Sequence, residues 1–157
     1  MKKPMAVLSA QSIELLNLVQ PLCPRTKIKF NDMSLSYGIS PGGVDVRLDQ
    51  EITLQPLEFS LGSTIEKFNL PDFIRGTCYN KSTLARIGLD VTTTILEPKW
   101  MGFLTLELFN KSKEIIHLPF GTPIAQITFE LLDEPTRQPY EKDGKYQNQP
   151  RFPVAAR

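Results

Sequence analysis

The sequence predicts an all-β domain, a sandwich or barrel of short strands that follows one N-terminal helix. From residue 26 onward, β-branched and apolar residues occur in short runs that lack a helical repeat. Glycine or proline separates these runs at close intervals, as at Gly62, Pro71, Gly76 and Pro98. The length of 157 residues suits one domain, so we expect a single domain over residues 1–157.

The helix is expected first, because Ser9 can cap a stretch with helical spacing of apolar residues and Pro21 can end it. The strands are expected at residues 27–30, 44–48, 51–54, 65–68, 88–95, 103–109, 115–118 and 124–131. Residues 133–157 are polar and rich in proline, without core periodicity. They are predicted to form a C-terminal tail or lid, which either stays mobile or closes over a ligand.

Composition and charge exclude several classes of partner. The net charge of +1 gives no basic surface for duplex nucleic acid. No apolar run reaches the length of a membrane span, so no membrane association is expected. Cys23 and Cys78 do not form a small-domain disulfide framework, which favours reduced thiols and a cytoplasmic protein.

Zinc chemistry is not expected from this sequence. A zinc site needs three or four ligands at recognisable spacing, and zinc-dependent nucleobase deaminases use a His/Cys/Cys set with a separate glutamate. The chain has one histidine, His117, and two cysteines in no paired motif. Any deamination by this protein would therefore proceed without zinc.

Glu107 is the first candidate catalytic residue. Strand alternation places Leu104, Leu106 and Leu108 on one face, and Thr105, Glu107 and Phe109 on the other. A carboxylate between apolar residues on an inner strand suits general acid–base catalysis. The alternative is a solvated glutamate on the outer face of a sheet, which the pattern alone favours.

The segment from Lys81 to Arg86 is a candidate anion site. Ser82 is placed to cap a short helical turn, and the backbone N–H groups of such a turn can bind an anion. Lys81 and Arg86 add positive charge, and a guanidinium can bind phosphate through two hydrogen bonds. The alternative is an ordinary turn with surface cations, and the glycine spacing of a Walker A motif is absent.

A third motif combines a tight turn with a charge pair. Gly42 and Gly43 precede a predicted strand, on which Asp45 and Arg47 share one face. We expect these two side chains to form a structural ion pair.

Together these segments resemble the dCTP deaminase branch of the dUTPase-like superfamily. The resemblance runs in order through nearly the whole chain, and the combination is more specific than any one piece. The matching segments are residues 7–9, 43–48, 81–89, 97–102, 106–110, 121–126, 139–140 and 144–149.

The resemblance implies a homotrimer of distorted jelly-roll or β-barrel subunits with nucleotide sites between subunits. It implies zinc-free conversion of dCTP to dUTP and ammonia, with Mg²⁺ bound through the triphosphate and no protein ligand to the metal. dCTP and dUTP are the implied ligands, and dTTP is a candidate inhibitor. Such a reaction serves pyrimidine deoxynucleotide metabolism by supplying dUMP for dTTP synthesis.

The resemblance also assigns roles by motif position. Glu107 is similar to the catalytic carboxylate, and Ser82 and Arg86 to the residues that position the water and stabilise that carboxylate. Glu97 stands where related dUTPases carry the residue that activates a hydrolytic water. The implied nucleotide-binding residues are Lys81, Ser82, Thr83, Arg86, Thr93, Trp100, Leu104, Thr105, Gln126, Tyr140, Lys145 and Gln149.

Two departures from the family pattern keep alternatives open. Lys81 replaces the usual arginine, and Glu97 replaces the usual aspartate of the turn. Hydrolysis onward to dUMP and pyrophosphate depends on Glu97. A monofunctional dUTPase is a second alternative, in which Glu107 has no catalytic role, and a non-catalytic nucleotide-binding trimeric scaffold is a third.

Overall fold

A computed structural model describes residues 6–157; the first five residues of the predicted domain lie outside the described part. The helices are α1 (Ala10–Leu16) and α2 (Ser82–Arg86). The strands are β1 (Val19–Gln20), β2 (Thr26–Phe30), β3 (Met33–Ser40), β4 (Gly43–Arg47), β5 (Ile52–Leu54), β6 (Phe59–Asn69), β7 (Ile74–Asn80), β8 (Leu89–Thr92), β9 (Met101–Asn110), β10 (Ile116–Leu118) and β11 (Pro123–Leu131). Within residues 6–157, no helix is long and apolar enough to cross a membrane.

The strands form three antiparallel sheets. One sheet has four strands in the order β1-β6-β9-β8, and a second has five in the order β2-β3-β4-β11-β7. The third is the two-stranded pair β10-β5. The longest pairing joins β6 to β9, with a register shift between Ser63 and Lys67. Between these two pairs β6 advances four residues while β9 advances two, so the ladder is interrupted there as at a β-bulge.

The hydrophobic core lies between the two larger sheets. Phe68 of β6 and Phe129 of β11 are fully buried, and their ring centroids lie 6.3 Å apart. The ring centroid of Trp100 lies 6.2 Å from that of Phe68. Aromatic side chains from both sheets therefore hold the layers together, in an arrangement that ring quadrupoles favour.

The predicted all-β class is confirmed, and each of the eight predicted runs overlaps an observed strand. Strands β1, β3 and β7 were not predicted, because serine, glycine and polar residues interrupt their apolar pattern. The helix after Ser9 is present but ends at Leu16 with Asn17 in the left-handed conformation, well before Pro21. Whether these segments form strands depends more on pairing with neighbouring strands than on their own sequence.

The predicted ion pair between Asp45 and Arg47 is wrong. Asp45 instead pairs with Lys81 at 3.1 Å, and Arg47 Nε donates to Glu66 Oε1 at 2.8 Å. Glu66 Oε2 also accepts from the backbone N–H of Arg47 at 2.8 Å. Burial raises the pKa of the Glu66 carboxyl, and the hydrogen bonds from Arg47 oppose that effect. Each charge therefore pairs with a residue distant in sequence, Asp45 with the N-cap residue of α2 and Arg47 with a residue of β6.

The C-terminal tail packs along the start of β9. Backbone atoms of Gln149 pair with Gly102 and Phe103, and Asn148 N–H donates to the carbonyl of Met101 at 2.8 Å. Arg151 forms two hydrogen bonds with the carboxylate of Asp49, at 2.7 and 3.0 Å. The tail is therefore attached to the domain at several points in this structure.

Candidate active site

An open pocket of about 1170 Å³ lies against the four-stranded sheet. Strands β6, β8 and β9, the loop after β8 and the C-terminal tail form its walls. The lining residues are mainly apolar or hydroxyl-bearing and include the carboxylates of Asp90, Glu97 and Glu107. Among the residues that the structure describes, no lysine or arginine lines this pocket. The pocket is large enough for a nucleotide.

Glu107 lies on the pocket face of β9. Burial alternates strictly along this strand, so Leu104, Leu106 and Leu108 are buried while Thr105 and Glu107 are half-buried. The predicted alternation is therefore confirmed. Thr92 lies directly opposite Glu107 on β8, and its hydroxyl donates to Glu107 Oε2 at 3.1 Å. Within residues 6–157, Oε1 of Glu107 has no hydrogen-bond partner and is available to a ligand.

Cys78 lies close to Glu107, on strand β7. Burial raises the pKa of the Cys78 thiol to about 12, and the charge of Glu107 acts in the same direction. The thiol therefore stays protonated at neutral pH and is a poor nucleophile. The side chain packs against the hydrophobic core and is not among the residues that line the pocket.

A polar cluster fixes the position of β8 at the edge of the pocket. Asn80 donates to Asp90 Oδ1 at 2.7 Å and accepts from the backbone N–H of Val91 at 2.7 Å. Lys111 pairs with Asp90 Oδ2 at 2.6 Å. Hydrogen bonds from Lys111 and Asn80 lower the pKa of Asp90, and its burial opposes them. The charge of Asp90 is thus balanced from outside the pocket.

Glu97 lines the same pocket and begins a tight turn. Trp100 N–H donates to the carbonyl of Glu97 at 3.0 Å, and Pro98 and Lys99 occupy the middle of the turn. Lys99 has a φ of 69°, in the left-handed region that favours glycine. Trp100 is 5% exposed, and its indole N–H donates to the carbonyl of Tyr146 at 2.7 Å. The turn therefore presents Glu97 to the pocket and keeps Trp100 largely in the core.

The C-terminal tail closes another side of the pocket. Tyr140, Tyr146 and Gln149 line it, as do residues 154–156. The backbone N–H of Val154 donates to the hydroxyl of Thr105 at 3.1 Å. Lys145 donates to the carbonyl of Arg157 at 2.8 Å and is not among the lining residues, so its role toward phosphate stays a prediction.

A second group of predicted residues lies on and beside α2. Ser82 and Arg86 are both exposed, and they are one turn apart on the same face of this short helix. Lys81, and not Ser82, is the N-cap residue, and no side chain caps the helix. The predicted capping role of Ser82 is therefore wrong, because Ser82 is the first residue with helical conformation.

Lys81 and Gln126 are held by hydrogen bonds on the five-stranded sheet. Lys81 Nζ lies 3.1 Å from Asp45 Oδ2 and 3.5 Å from Ser36 Oγ. Gln126 Nε2 donates to Ser40 Oγ at 2.9 Å. Because Asp45 neutralises Lys81, Lys81 offers less charge to an anion than an unpaired lysine would.

The predicted site residues thus fall into two groups within one chain. The pocket brings together Glu97, Glu107, Thr93, Trp100, Leu104, Thr105, Tyr140 and Gln149. It does not include Lys81, Ser82, Thr83, Arg86, Gln126 or Lys145.

Sequence reasoning did not identify the hydroxyl of Thr92, the apolar wall or residues 154–156. The apolar wall consists of Phe59 and Leu61 of β6 and Phe109 of β9. Thr92 falls within a predicted strand, but only the register of β8 on β9 shows which residue it faces.

Solved structures with a similar fold place the chain in the dUTPase-like class. The dUTPase of EIAV aligns with a TM-score of 0.55 at 19% identity, covering 89% of this chain and 98% of its own. The 2′-deoxycytidine 5′-triphosphate deaminase of Agrobacterium tumefaciens aligns with a TM-score of 0.63 at 15% identity, covering 82% of this chain and 49% of its own. At these identities the likeness establishes the fold.

The sequence matches are more specific. The dCTP deaminase-like family matches residues 42–132. A dCTP deaminase of Pyrococcus horikoshii is 36% identical over 114 residues, covering 73% of this chain and 72% of its own. A dCTP deaminase of Francisella philomiragia is 31% identical over 164 residues, covering 85% and 87%. The chain belongs to the dCTP deaminase-like family.

Proposed function

We propose that this protein catalyses the hydrolytic deamination of dCTP to dUTP and ammonia. The family membership and the relatives named as dCTP deaminases support this activity. The observation that carries the proposal is the half-buried carboxylate of Glu107. It lies in a nucleotide-sized pocket with one oxygen held by Thr92. Such a group can accept and return a proton during one reaction cycle.

The reaction needs one acid–base group that acts in several steps. Glu107 takes a proton from water, and the resulting hydroxide forms a bond to C4 of the cytosine ring. The proton passes to the ring nitrogen N3. A second proton then moves from the new hydroxyl through Glu107 to the amino group, the C4–N bond breaks, and ammonia leaves. Water and dCTP thereby give dUTP and ammonia without a change in oxidation state.

The base end of the pocket is formed by Thr93, Leu104 and Thr105 beside Glu107. Leu104 is 5% exposed and supplies an apolar contact, while Thr93 and Thr105 supply hydroxyls. The hydroxyl of Thr105 already accepts a hydrogen bond from Val154 of the tail. A pyrimidine at this end would have to share or replace that hydrogen bond.

The triphosphate requires positive charge that the pocket of one chain lacks. We infer that a neighbouring copy supplies it, so that Arg86 and Ser82 of one subunit face Glu107 of the next. A homotrimer, the assembly that the resemblance implies, provides such sites. Mg²⁺ enters as part of the substrate, bound to the phosphates. Within residues 6–157, no group of three histidine, cysteine or acidic side chains is arranged to hold a metal ion.

The remaining assignments follow from this site. Tyr140, Lys145 and Gln149 are proposed as the lid over the phosphates, with dTTP as a competing ligand at the same pocket. Cys23 and Cys78 are both free thiols, which supports a cytoplasmic location.

Hydrolysis of dUTP to dUMP and pyrophosphate is a second candidate activity. The observation in its favour is that Glu97 lines the same pocket as Glu107. Two carboxylates in one pocket can serve two different water attacks, one on the base and one on the α-phosphate.

Incubation of the purified protein with dCTP and Mg²⁺ tests both activities. Ammonia release measures deamination, and chromatographic separation of dUTP from dUMP measures onward hydrolysis. Ammonia with dUTP supports a deaminase, and ammonia with dUMP supports the bifunctional enzyme. Turnover of added dUTP without any from dCTP would indicate a monofunctional dUTPase. Nucleotide binding without either product would indicate a scaffold.

A further inference from the structure

The hydroxyl of Thr92 is the only hydrogen-bond donor that residues 6–157 provide to the carboxylate of Glu107. Thr92 Oγ1 lies 3.1 Å from Glu107 Oε2, and the two residues are direct cross-strand partners in the pairing of β8 with β9. Directly opposed residues on one face of an antiparallel pair have side chains within reach of each other. The contact is therefore set by strand register.

The backbone around Thr92 is fixed by the polar cluster at the start of β8. The side chain of Asn80 accepts a hydrogen bond from Val91 N–H, the residue before Thr92. Asp90 is held between Asn80 and Lys111. β8 has only four residues, and this cluster links it to the end of β7 and to Lys111, just past the end of β9. The position of Thr92 thus depends on more than its own strand pairing.

We propose that Thr92 is a positioning residue for Glu107, which holds Oε2 so that Oε1 faces the reacting water and the pyrimidine ring. This inference rests on the proposed deaminase function. One carboxylate oxygen is fixed by a neutral donor that gives up no proton at neutral pH. The other oxygen then exchanges protons with the substrate. Without the hydroxyl, the carboxylate would rotate freely and would share its negative charge with fewer donors.

Other titratable groups lie near Glu107, and their ionisation would also contribute to a pH profile of the site. Cys78 approaches from β7, Asp90 lies on β8, and Glu97 lies in the loop that follows. Tyr140 and Tyr146 line the pocket from the tail, and the facing residues of β6 are apolar. Thr92 is uncharged, so its replacement changes one hydrogen bond and no formal charge.

The kinetic test compares Thr92→Val, which removes the hydroxyl, with Thr92→Ser, which keeps it. We expect Thr92→Val to lower kcat for dCTP by about 10-fold, the usual effect of one hydrogen bond to a charged group. The acidic limb of its pH profile should move to higher pH, because the ionised carboxylate has lost a donor. Thr92→Ser should restore both values to near those of the wild type. An unchanged kcat and pH profile in Thr92→Val would overturn the proposal.

A matched control comes from Thr53 of β5. Thr53 is also an exposed strand threonine whose hydroxyl is hydrogen-bonded to its cross-strand partner, His117, at 2.9 Å. It does not line the pocket, so Thr53→Val should leave kcat and the pH profile unchanged. An equal loss of activity in Thr53→Val would indicate a general structural effect and would count against a positioning role for Thr92.

A second measurement does not require turnover. Glutamate labelled with ¹³C at the side-chain carboxyl gives a titration curve for Glu107 by NMR, assigned by comparison with Glu107→Gln. We expect its midpoint to rise in Thr92→Val and to return in Thr92→Ser; an unmoved midpoint would overturn the contact. If the midpoint moves but the wild-type protein releases no ammonia from dCTP, the proposed function fails while the Thr92–Glu107 contact remains. If the wild type is active and only the midpoint moves, the role of Thr92 in the reaction is overturned.

Discussion

The pocket and the α2 surface differ in the charges that they present. The lining of the pocket on the four-stranded sheet includes the carboxylates of Asp90, Glu97 and Glu107 and, among residues 6–157, no lysine or arginine. The surface at α2 presents the exposed side chains of Ser82 and Arg86 on a short helix. We propose that the two surfaces are complementary halves of one nucleotide site, in which the pocket supplies the acid–base group and the α2 surface supplies positive charge. We infer that assembly of identical subunits brings the two halves together.

Each half contains one charge that is paired within the chain and one that is not. Asp90 is balanced by Lys111, and Lys81 is balanced by Asp45, so both are structural charges. Glu107 and Arg86 have no partner of opposite charge within residues 6–157. A charged side chain without such a partner is free to interact with a ligand. Glu107 belongs to the pocket, and Arg86 belongs to the α2 surface.

The largest effect is expected from Glu107→Gln, which keeps the size of the side chain and removes its ability to accept a proton. Deamination of dCTP should fall by about 10³-fold, the middle of the range of roughly 10²–10⁴-fold that general acid–base catalysis contributes. Binding of dCTP, measured by calorimetry, should change little. Retained turnover would remove Glu107 from the mechanism. Glu114→Gln, at an exposed glutamate outside the pocket, is the control.

Mixing two inactive variants tests whether the halves come from different subunits. Arg86→Ala alone and Glu107→Gln alone are each expected to be inactive. In trimers reassembled from equal amounts of both, roughly a quarter of the sites should contain both wild-type residues. Ammonia release after mixing should therefore recover to about that fraction. No recovery, with mixed trimers demonstrated by mass spectrometry, would show that both residues act from one chain.

Deletion of residues 140–157 tests whether the C-terminal tail contributes to nucleotide binding in the pocket. We expect the Kd for dCTP with Mg²⁺ to rise by about 10-fold or more, because a closing segment contributes ligand contacts and excludes water. Deletion of residues 150–157 keeps the backbone pairing of Gln149 and the contact of Tyr146 with Trp100. This shorter deletion should have the smaller effect. Equal affinity in all three proteins would show that the tail is no lid.

The smallest effect is expected from Lys99→Gly in the turn that presents Glu97. Lys99 has a φ of 69°, a conformation that costs a non-glycine residue about 1–2 kcal/mol and that glycine adopts freely. Allowing for the greater entropy of glycine in the unfolded chain, the free energy of unfolding should rise by about 0.5–1 kcal/mol. Urea denaturation measures this change. Lys99→Ala keeps the positive φ and should show no gain.

Much of the pocket side followed from local sequence rules. The alternation along residues 104–109 predicted that Glu107 lies on the face opposite the three leucines, because a strand places successive side chains on opposite faces. The turn at Glu97–Trp100 was recognisable from Pro98. Both features depend on residues that are close together in the chain, so they can be predicted from a short stretch of sequence.

Other features depend on pairing between distant segments. The observed ion pairs are Lys81 with Asp45 and Arg47 with Glu66. They could be predicted only from the order of the strands in two sheets. The contact between Thr92 and Glu107 needed the register of β8 on β9, which no short-range pattern specifies. The separation of Arg86 from the pocket likewise follows from the fold as a whole, which local pattern reasoning cannot reach.

The position of residues 154–156 in the pocket wall has a practical consequence for handling this protein. A peptide handle or fluorophore attached after Arg157 would begin one residue beyond this wall. Its bulk could then narrow the pocket, and a run of histidines would bring imidazole groups close to the pocket wall. Kinetic assays should therefore compare the protein with and without such an attachment.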